Sequence, residues 1–167
     1  MLGGLFYDIN DVKRAFEQEL KSGHHCECPA CGRHAQIYRR KFHASMAYQL
    51  IRLYRMGGCY QFVHASKLIL PNMAGIGDFT KAKYWGLIVP KDKAIYDTDS
   101  DKKSSGYWRI TPNGEKFING MIRVPREVHV FNDEFLGACQ ETITIAEALG
   151  SKFNYEELMR GNYDLSQ

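Results

Sequence analysis

Two phrases decide how this chain folds: Tyr84-Trp85-Gly86-Leu87-Ile88, and Trp108-Arg109-Ile110-Thr111-Pro112-Asn113-Gly114-Glu115-Lys116-Phe117-Ile118. In the first, Gly86 ends a helix and Leu87-Ile88-Val89 begins a strand. In the second, Tyr107 to Ile110 is a returning strand. Thr111 then caps a helix whose first residue is Pro112, where the missing N–H goes unused. The polar run Asp97 to Gly106 (DTDSDKKSSG) between the phrases reads as the loop of a hairpin.

Working upstream, Ser45 to Met56 predicts a helix. Ser45 caps it, Met46, Leu50, Leu53 and Tyr54 form its apolar stripe, and Gly57-Gly58 stop it. Val63 to Leu70 predicts a shorter helix ended by Pro71. A turn follows over Asn72 to Gly77, and Asp78 caps a third helix that runs to Trp85. The order is helix, helix, turn, helix, strand, long loop, strand, helix. This is the plan of a winged helix-turn-helix, whose third helix enters the major groove while the hairpin wing touches backbone or minor groove.

The same phrases resemble the Gly-Leu-Ile, wing, Leu-Thr-x-x-Gly pattern of the MarR-type winged-helix regulators over roughly residues 44–120. Two departures stand out. Asp97, Asp99 and Asp101 in the wing loop would repel phosphate, and the turn before the third helix is long. The whole chain is also similar to a group of phage and prophage proteins with no established activity. That similarity lies in Cys28-Pro29-Ala30-Cys31-Gly32, Tyr38-Arg39-Arg40-Lys41, a long helix ending in Leu53-Tyr54-Arg55, the segment Gly106 to Thr111, and Arg123-Val124-Pro125-Arg126. It implies a phage source and supports the fold, and it assigns no chemistry.

The flanks complete an α+β protein in three parts. Residues 1–43 hold an N-terminal helix (Asn10 to Ser22, apolar at Val12, Ala15, Phe16 and Leu20) and a cysteine knuckle. Residues 44–120 hold the winged helix-turn-helix. Residues 121–167 form a small α/β extension: a strand over Ile122 to Phe131, a turn at Asn132-Asp133, a short helix from Thr144 to Gly150 with capping-box spacing to Glu147, and a last helix from Tyr155 to Arg160 capped by Asn154.

Charge is segregated along the chain. From Cys28 to Gly77 there is no Asp or Glu, although the chain carries 19 acids. Residues 28–120 hold fifteen Lys/Arg against six Asp/Glu, a balance of +9, between flanks at −2 and −4. A positive module of this kind fits a polyanion, and double-stranded DNA is the expected partner. Segregation that serves solubility alone is the plainer alternative.

The knuckle Cys28-Pro-Ala-Cys31-Gly has the C-x-x-C spacing at which two thiolates reach one tetrahedral zinc. No second C-x-x-C follows, so the remaining ligands are expected from Cys26, His24, His25 or His43, with His34, Cys59 and His64 as further options. Glu27 is the nearest acid and the next is Asp78, so no general base accompanies the site and the zinc is read as structural. A metal-free or redox thiol pair is the alternative. Five cysteines, three of them within six residues, suit metal better than a disulfide framework.

Expected base readers are Thr80, Lys81, Lys83 and Tyr84 on the outer face of the third helix. Arg39, Arg40, Lys41, Arg52 and Arg55, with Lys102, Lys103 and Arg109 of the wing, are expected to hold phosphates. Asp97-x-Asp99-x-Asp101 lacks the glycine and glutamate of a calcium loop. No Walker motif, GxGxxG or nucleophile elbow is present. The chain is therefore read as non-catalytic: a zinc-containing DNA-binding regulator or accessory factor. A module that binds a host protein is the first alternative and a metal-dependent nuclease the second, with homodimerisation left open. No apolar run approaches the ~20 residues of a membrane span. Met1-Leu-Gly-Gly-Leu is no leader, and the protein is expected in the host cytoplasm.

Overall fold

The computed structural model describes residues 8–23, 25–69, 76–92 and 105–163. In chain order its elements are α1 (Ile9–Gly23), β1 (His25–Glu27), β2 (His34–Gln36), β3 (Tyr38–Lys41), α2 (Ala44–Arg55), β4 (Val63–His64), a 3-10 helix (Ala65–Leu68), α3 (Ile76–Phe79), a second 3-10 helix (Thr80–Trp85), β5 (Ile88–Pro90), β6 (Tyr107–Ile110), α4 (Pro112–Ile118), β7 (Val124–Pro125), β8 (Glu127–Phe131), β9 (Glu134–Ala138), β10 (Thr142–Ile143), α5 (Ile145–Leu149) and α6 (Tyr155–Arg160). It is a mixed α+β protein of short helices and small antiparallel sheets. Contacts divide it into two units: Met1–Arg40 with His129–Gly137, and Lys41–Val128 with Ala138–Gln167.

The second unit is organised around α2. Met46, Ala47, Tyr48, Gln49, Leu50, Ile51 and Leu53 are all buried. The single stripe predicted from the sequence is thus a helix covered on most of its circumference, because α3, α4, α5 and α6 all pack against it. His43 rather than Ser45 occupies its N-cap and supplies no side-chain bond. Phe42 sets two edge-on aromatic contacts beneath, at 5.2 Å to Trp85 and 5.3 Å to Phe117.

Beside α2 lies a three-stranded sheet of order β4-β6-β5. Val63 pairs with Trp108 and Ile88 with Ile110. Thr111 caps α4 as expected: its hydroxyl donates to Gly86 O at 2.6 Å and accepts from Gly114 N–H at 2.9 Å. Gly114 is where α4 presses on the start of β5. A Cβ there would lie 2.1 Å from Leu87 O, so only glycine fits.

Several elements differ from the sequence reading. Val63–His64 is a strand and only Ala65–Leu68 is helical, because strand pairing with β6 claims the first two residues. The third helix is one α turn followed by a 3-10 segment to Trp85, and Asp78 sits inside its first turn instead of capping it. The strand foreseen over Ile122 to Phe131 is broken at Arg126 into β7 and β8. The break is a junction: Arg126 N–H donates to Glu141 O, Arg126 O accepts from Phe42 N–H, and Trp85 Nε1 donates to Pro125 O at 2.7 Å. The acids of the C-terminal segment pair locally, Glu147 with Arg123, Glu141 with Arg126, and Glu156 and Glu157 with Arg160.

The first unit is α1 laid on the β1-β2 hairpin. Leu20, Cys26 and Ile37 form its buried cluster, with Phe16, Ala35 and Phe131 against it. The turn Asn132-Asp133 takes positive φ at both residues, the conformation that joins two strands tightly, and β9 returns beside β8. The order of that sheet is β3-β8-β9, with β9 at an edge.

Candidate nucleic-acid interface and metal knuckle

Backbone bonds build the knuckle. Cys28 N–H donates to Arg33 O and Gly32 N–H to Cys28 O, both at 2.8 Å, and Gly32 turns the chain at φ +69°. Strand register then sorts the side chains. Cys26 pairs with Ala35, Glu27 with His34, and His25 with Gln36. Cys26 and Ala35 point to α1, whereas His25, Glu27 and His34 are exposed.

This sorting separates the three neighbouring thiols. Cys26 is 7% exposed, and burial pushes its thiol up, with Glu19 and Cys28 adding to the effect. Cys28 is held below the ordinary thiol value, first by the Ala30 N–H, then by the Cys31 N–H and the Cys31 thiol. N–H groups aimed at a sulfur favour its anion, the form that binds metal. Cys31 is exposed. Cys28 and Cys31 therefore fit one edge of a tetrahedral site, and Cys26 belongs to the core. His25 and His34 lie side by side with ring centroids 5.9 Å apart. They border a polar cleft of about 580 Å³ with Gln36 and Arg39. His43 is exposed at the start of α2, and His24 lies outside the described residues. Among the described residues, no group of three or more His, Cys, Asp or Glu is gathered that could hold a metal ion.

The predicted phosphate contacts are dispersed. Arg39 and Lys41 are exposed on β3, and Arg40 stacks over the Tyr38 ring at 5.0 Å. Arg52 is half-buried with its guanidinium 5.6 Å from the centre of the Tyr163 ring, and Arg55 lies beside Gly161 at the end of α6. The third-helix group, Thr80, Lys81, Lys83 and Tyr84, is half-buried on the 3-10 segment. Lys81 reaches back to Asp78 at 2.9 Å, and Lys83 sits over the Tyr84 ring at 5.0 Å. Lys102, Lys103 and the three wing aspartates lie outside the described residues.

A grouping of which the sequence reading named only Arg109 as a phosphate contact lies on the outer face of the β4-β6-β5 sheet. Along β6, Trp108 and Ile110 are buried while Tyr107 and Arg109 are exposed. The register sets His64 opposite Tyr107 and Val89 opposite Arg109. Lys91 follows β5, donates its N–H to Tyr107 O at 2.8 Å and holds its ammonium 5.8 Å from that ring's centre. Arg109 lies over Phe62 at 5.0 Å. The His64 ring meets Tyr107 edge-on at 5.0 Å, and its Nδ1 lies 2.7 Å from Ser66 Oγ. Gly106 leaves room for that ring, since a Cβ there would come within 2.7 Å of it. The signal for this face was the alternation Tyr107-Trp108-Arg109-Ile110. Lys91 carried none, because its position depends on pairing across a long loop.

No helix among the described residues is long and apolar enough to cross a membrane. Compared with known protein families, with characterised proteins and with solved structures, the chain gives no match.

Proposed function

We propose that this chain is a non-catalytic, double-stranded DNA-binding protein of phage origin that works in the host cytoplasm as a regulator or accessory factor. Its winged-helix core spans residues 44–120 and its knuckle holds a structural zinc. The order of helices and strands supports the winged-helix reading, as does a sheet in which the strand after the wing lies between the other two. The single observation that carries the binding reading is the outer face of that sheet. Lys91 lies over the ring of exposed Tyr107, and Arg109 over that of Phe62. Cations held this way keep their charge toward solvent and lose little side-chain freedom on meeting a phosphate.

In this reading Lys91, Arg109 and the exposed Lys67 hold the backbone, and the segment Thr80 to Tyr84 faces the groove. A zinc, when bound, would supply a rigid crosslink at Cys28 and Cys31 and no reaction. The test is anisotropy of a labelled random-sequence duplex across a salt series. Replacing Lys91 and Arg109 together with Ala is expected to weaken binding and to lower the slope of log K against log salt by about 2, roughly 0.9 per lost phosphate contact. An unchanged slope rejects the interface.

One observation favours docking to a host protein instead. The edge strand β9 exposes both Phe135, at 53%, and Leu136, at 40%, side chains that an edge strand seldom leaves open. A host protein retained after nuclease treatment, and lost on Phe135→Asp with Leu136→Asp, would select this reading.

A further inference from the structure

We infer that the zinc site is completed by a second copy of this chain, with Cys28 and Cys31 of two knuckles forming one four-sulfur centre. The inference deepens the zinc part of the reading above and is independent of the DNA part.

The argument is geometric. A structural zinc takes four ligands in a tetrahedron. The knuckle turns Cys28 and Cys31 together at the tip of the β1-β2 hairpin, through the paired backbone bonds of Cys28 with Arg33 and of Gly32 with Cys28. Cys26, the next sulfur along the chain, is turned toward α1 by the strand alternation and is buried there with Leu20 and Ile37. Freeing it would remove one of the side chains that hold the hairpin to α1. The tip itself is open: Cys31, Pro29, Ala30 and Gly32 are exposed and Cys28 is half-buried. Among the described residues, the tip is therefore uncovered on the side that a second knuckle would meet.

Two such tips related by a two-fold axis bring four thiolates to one ion, and a two-fold axis makes each tip the other's complement. Chemistry favours the arrangement as well. Four thiolates around Zn²⁺ leave a net charge of −2, which a nearby cation offsets, and exposed Arg33 follows each knuckle directly. Each thiol that binds releases its proton to solvent, and no redox change is involved.

The experiment uses the full chain under reducing conditions, titrated with zinc chloride. Zinc content comes from metal analysis and molar mass from light scattering. The expected result is one zinc per two chains, a two-fold rise in mass on zinc addition, and return to the starting mass with EDTA. Cys31→Ser should abolish both the zinc and the mass change. Cys31 is exposed, so this variant removes a ligand without opening the core. His24→Ala and Cys26→Ala should leave the stoichiometry at one zinc per two chains. One zinc per chain on an unchanged mass, lost in His24→Ala, would overturn the inference while leaving the zinc reading standing. No zinc at all would overturn both, and neither result bears on the duplex-binding test.

Discussion

The two units of this molecule solve the same problem with very different means. In the second, a helix buried on most of its circumference gathers the side chains of five other helices and a sheet into one apolar cluster. In the first, the buried cluster among the described residues is Leu20, Cys26 and Ile37. A core of that size falls short of the entropy of ordering the chain around it, and units so small usually rely on a metal, a disulfide or a partner. The knuckle sits in the unit with the small core, and the cation-bearing sheet sits in the unit with the large one. Rigidity for the proposed interface comes from packing; rigidity for the hairpin would come from chemistry.

The sharpest way to break this contrast is to remove metal. EDTA is expected to abolish amide protection over residues 25–36 while the amides of α2 and β6 keep theirs, read by hydrogen exchange with mass spectrometry. Loss of protection in both units together would show that they share one source of stability.

Core truncation in the second unit comes next. Phe117→Ala removes a fully buried ring in contact with Phe42, and should cost about 3–5 kcal/mol in urea unfolding. A cost under about 1 kcal/mol would mean that the cluster around α2 is loosely packed.

Gln49 gives a change of opposite sign. It is 1% exposed on α2, and neither amide atom has a hydrogen-bond partner. Gln49→Met keeps its length and removes the stranded polar group, and should raise stability by about 1–3 kcal/mol. A loss of stability would point to a partner that this residue serves.

Two smaller effects test the ends of helices. Thr111→Ala removes the cap that ties α4 to Gly86 and should cost about 1 kcal/mol. Glu147 accepts from the Thr144 N–H and from Arg123, both at 2.8 Å, and those bonds hold its carboxyl below the ordinary glutamate value, the Thr144 backbone most of all. A depressed acid stabilises the fold above its unfolded value and loses that contribution as pH falls through its folded value. Thermal midpoints should therefore fall between neutral and acid pH slightly less steeply in Glu147→Gln than in the parent. Identical slopes would assign the acid sensitivity to other carboxylates.

Much of the second unit was legible because its signals are local. Thr111 with Gly114, Thr144 with Glu147 and Asn154 with Glu157 form the predicted caps, since each needs only a side chain and an N–H three residues on. The third helix and the strand after Ile122 were less legible. Their shapes follow from contacts distant in sequence: Trp85 with Pro125, and Arg126 with both Phe42 and Glu141. β9 was missed because a short strand without a strong alternating pattern is recognisable only once its hairpin partner is placed.

The candidate site divides in the same way. Spacing alone picked out Cys28 and Cys31, because a C-x-x-C turn is made within five residues. It could not assign the thiol two residues earlier, since the fate of Cys26 depends on which face of β1 meets α1. Nor could it rank the cations. Arg52 and Lys91 look alike along the chain, yet one rests on the Tyr163 ring against the C-terminal helix and the other stands on an open sheet beside Tyr107. Composition, caps, turns and the sulfur pair were written in the residues themselves, where the forces act over a few bonds. Burial, strand register and the company each charge keeps arose only when distant segments packed, because those properties belong to surfaces that no stretch of sequence forms by itself.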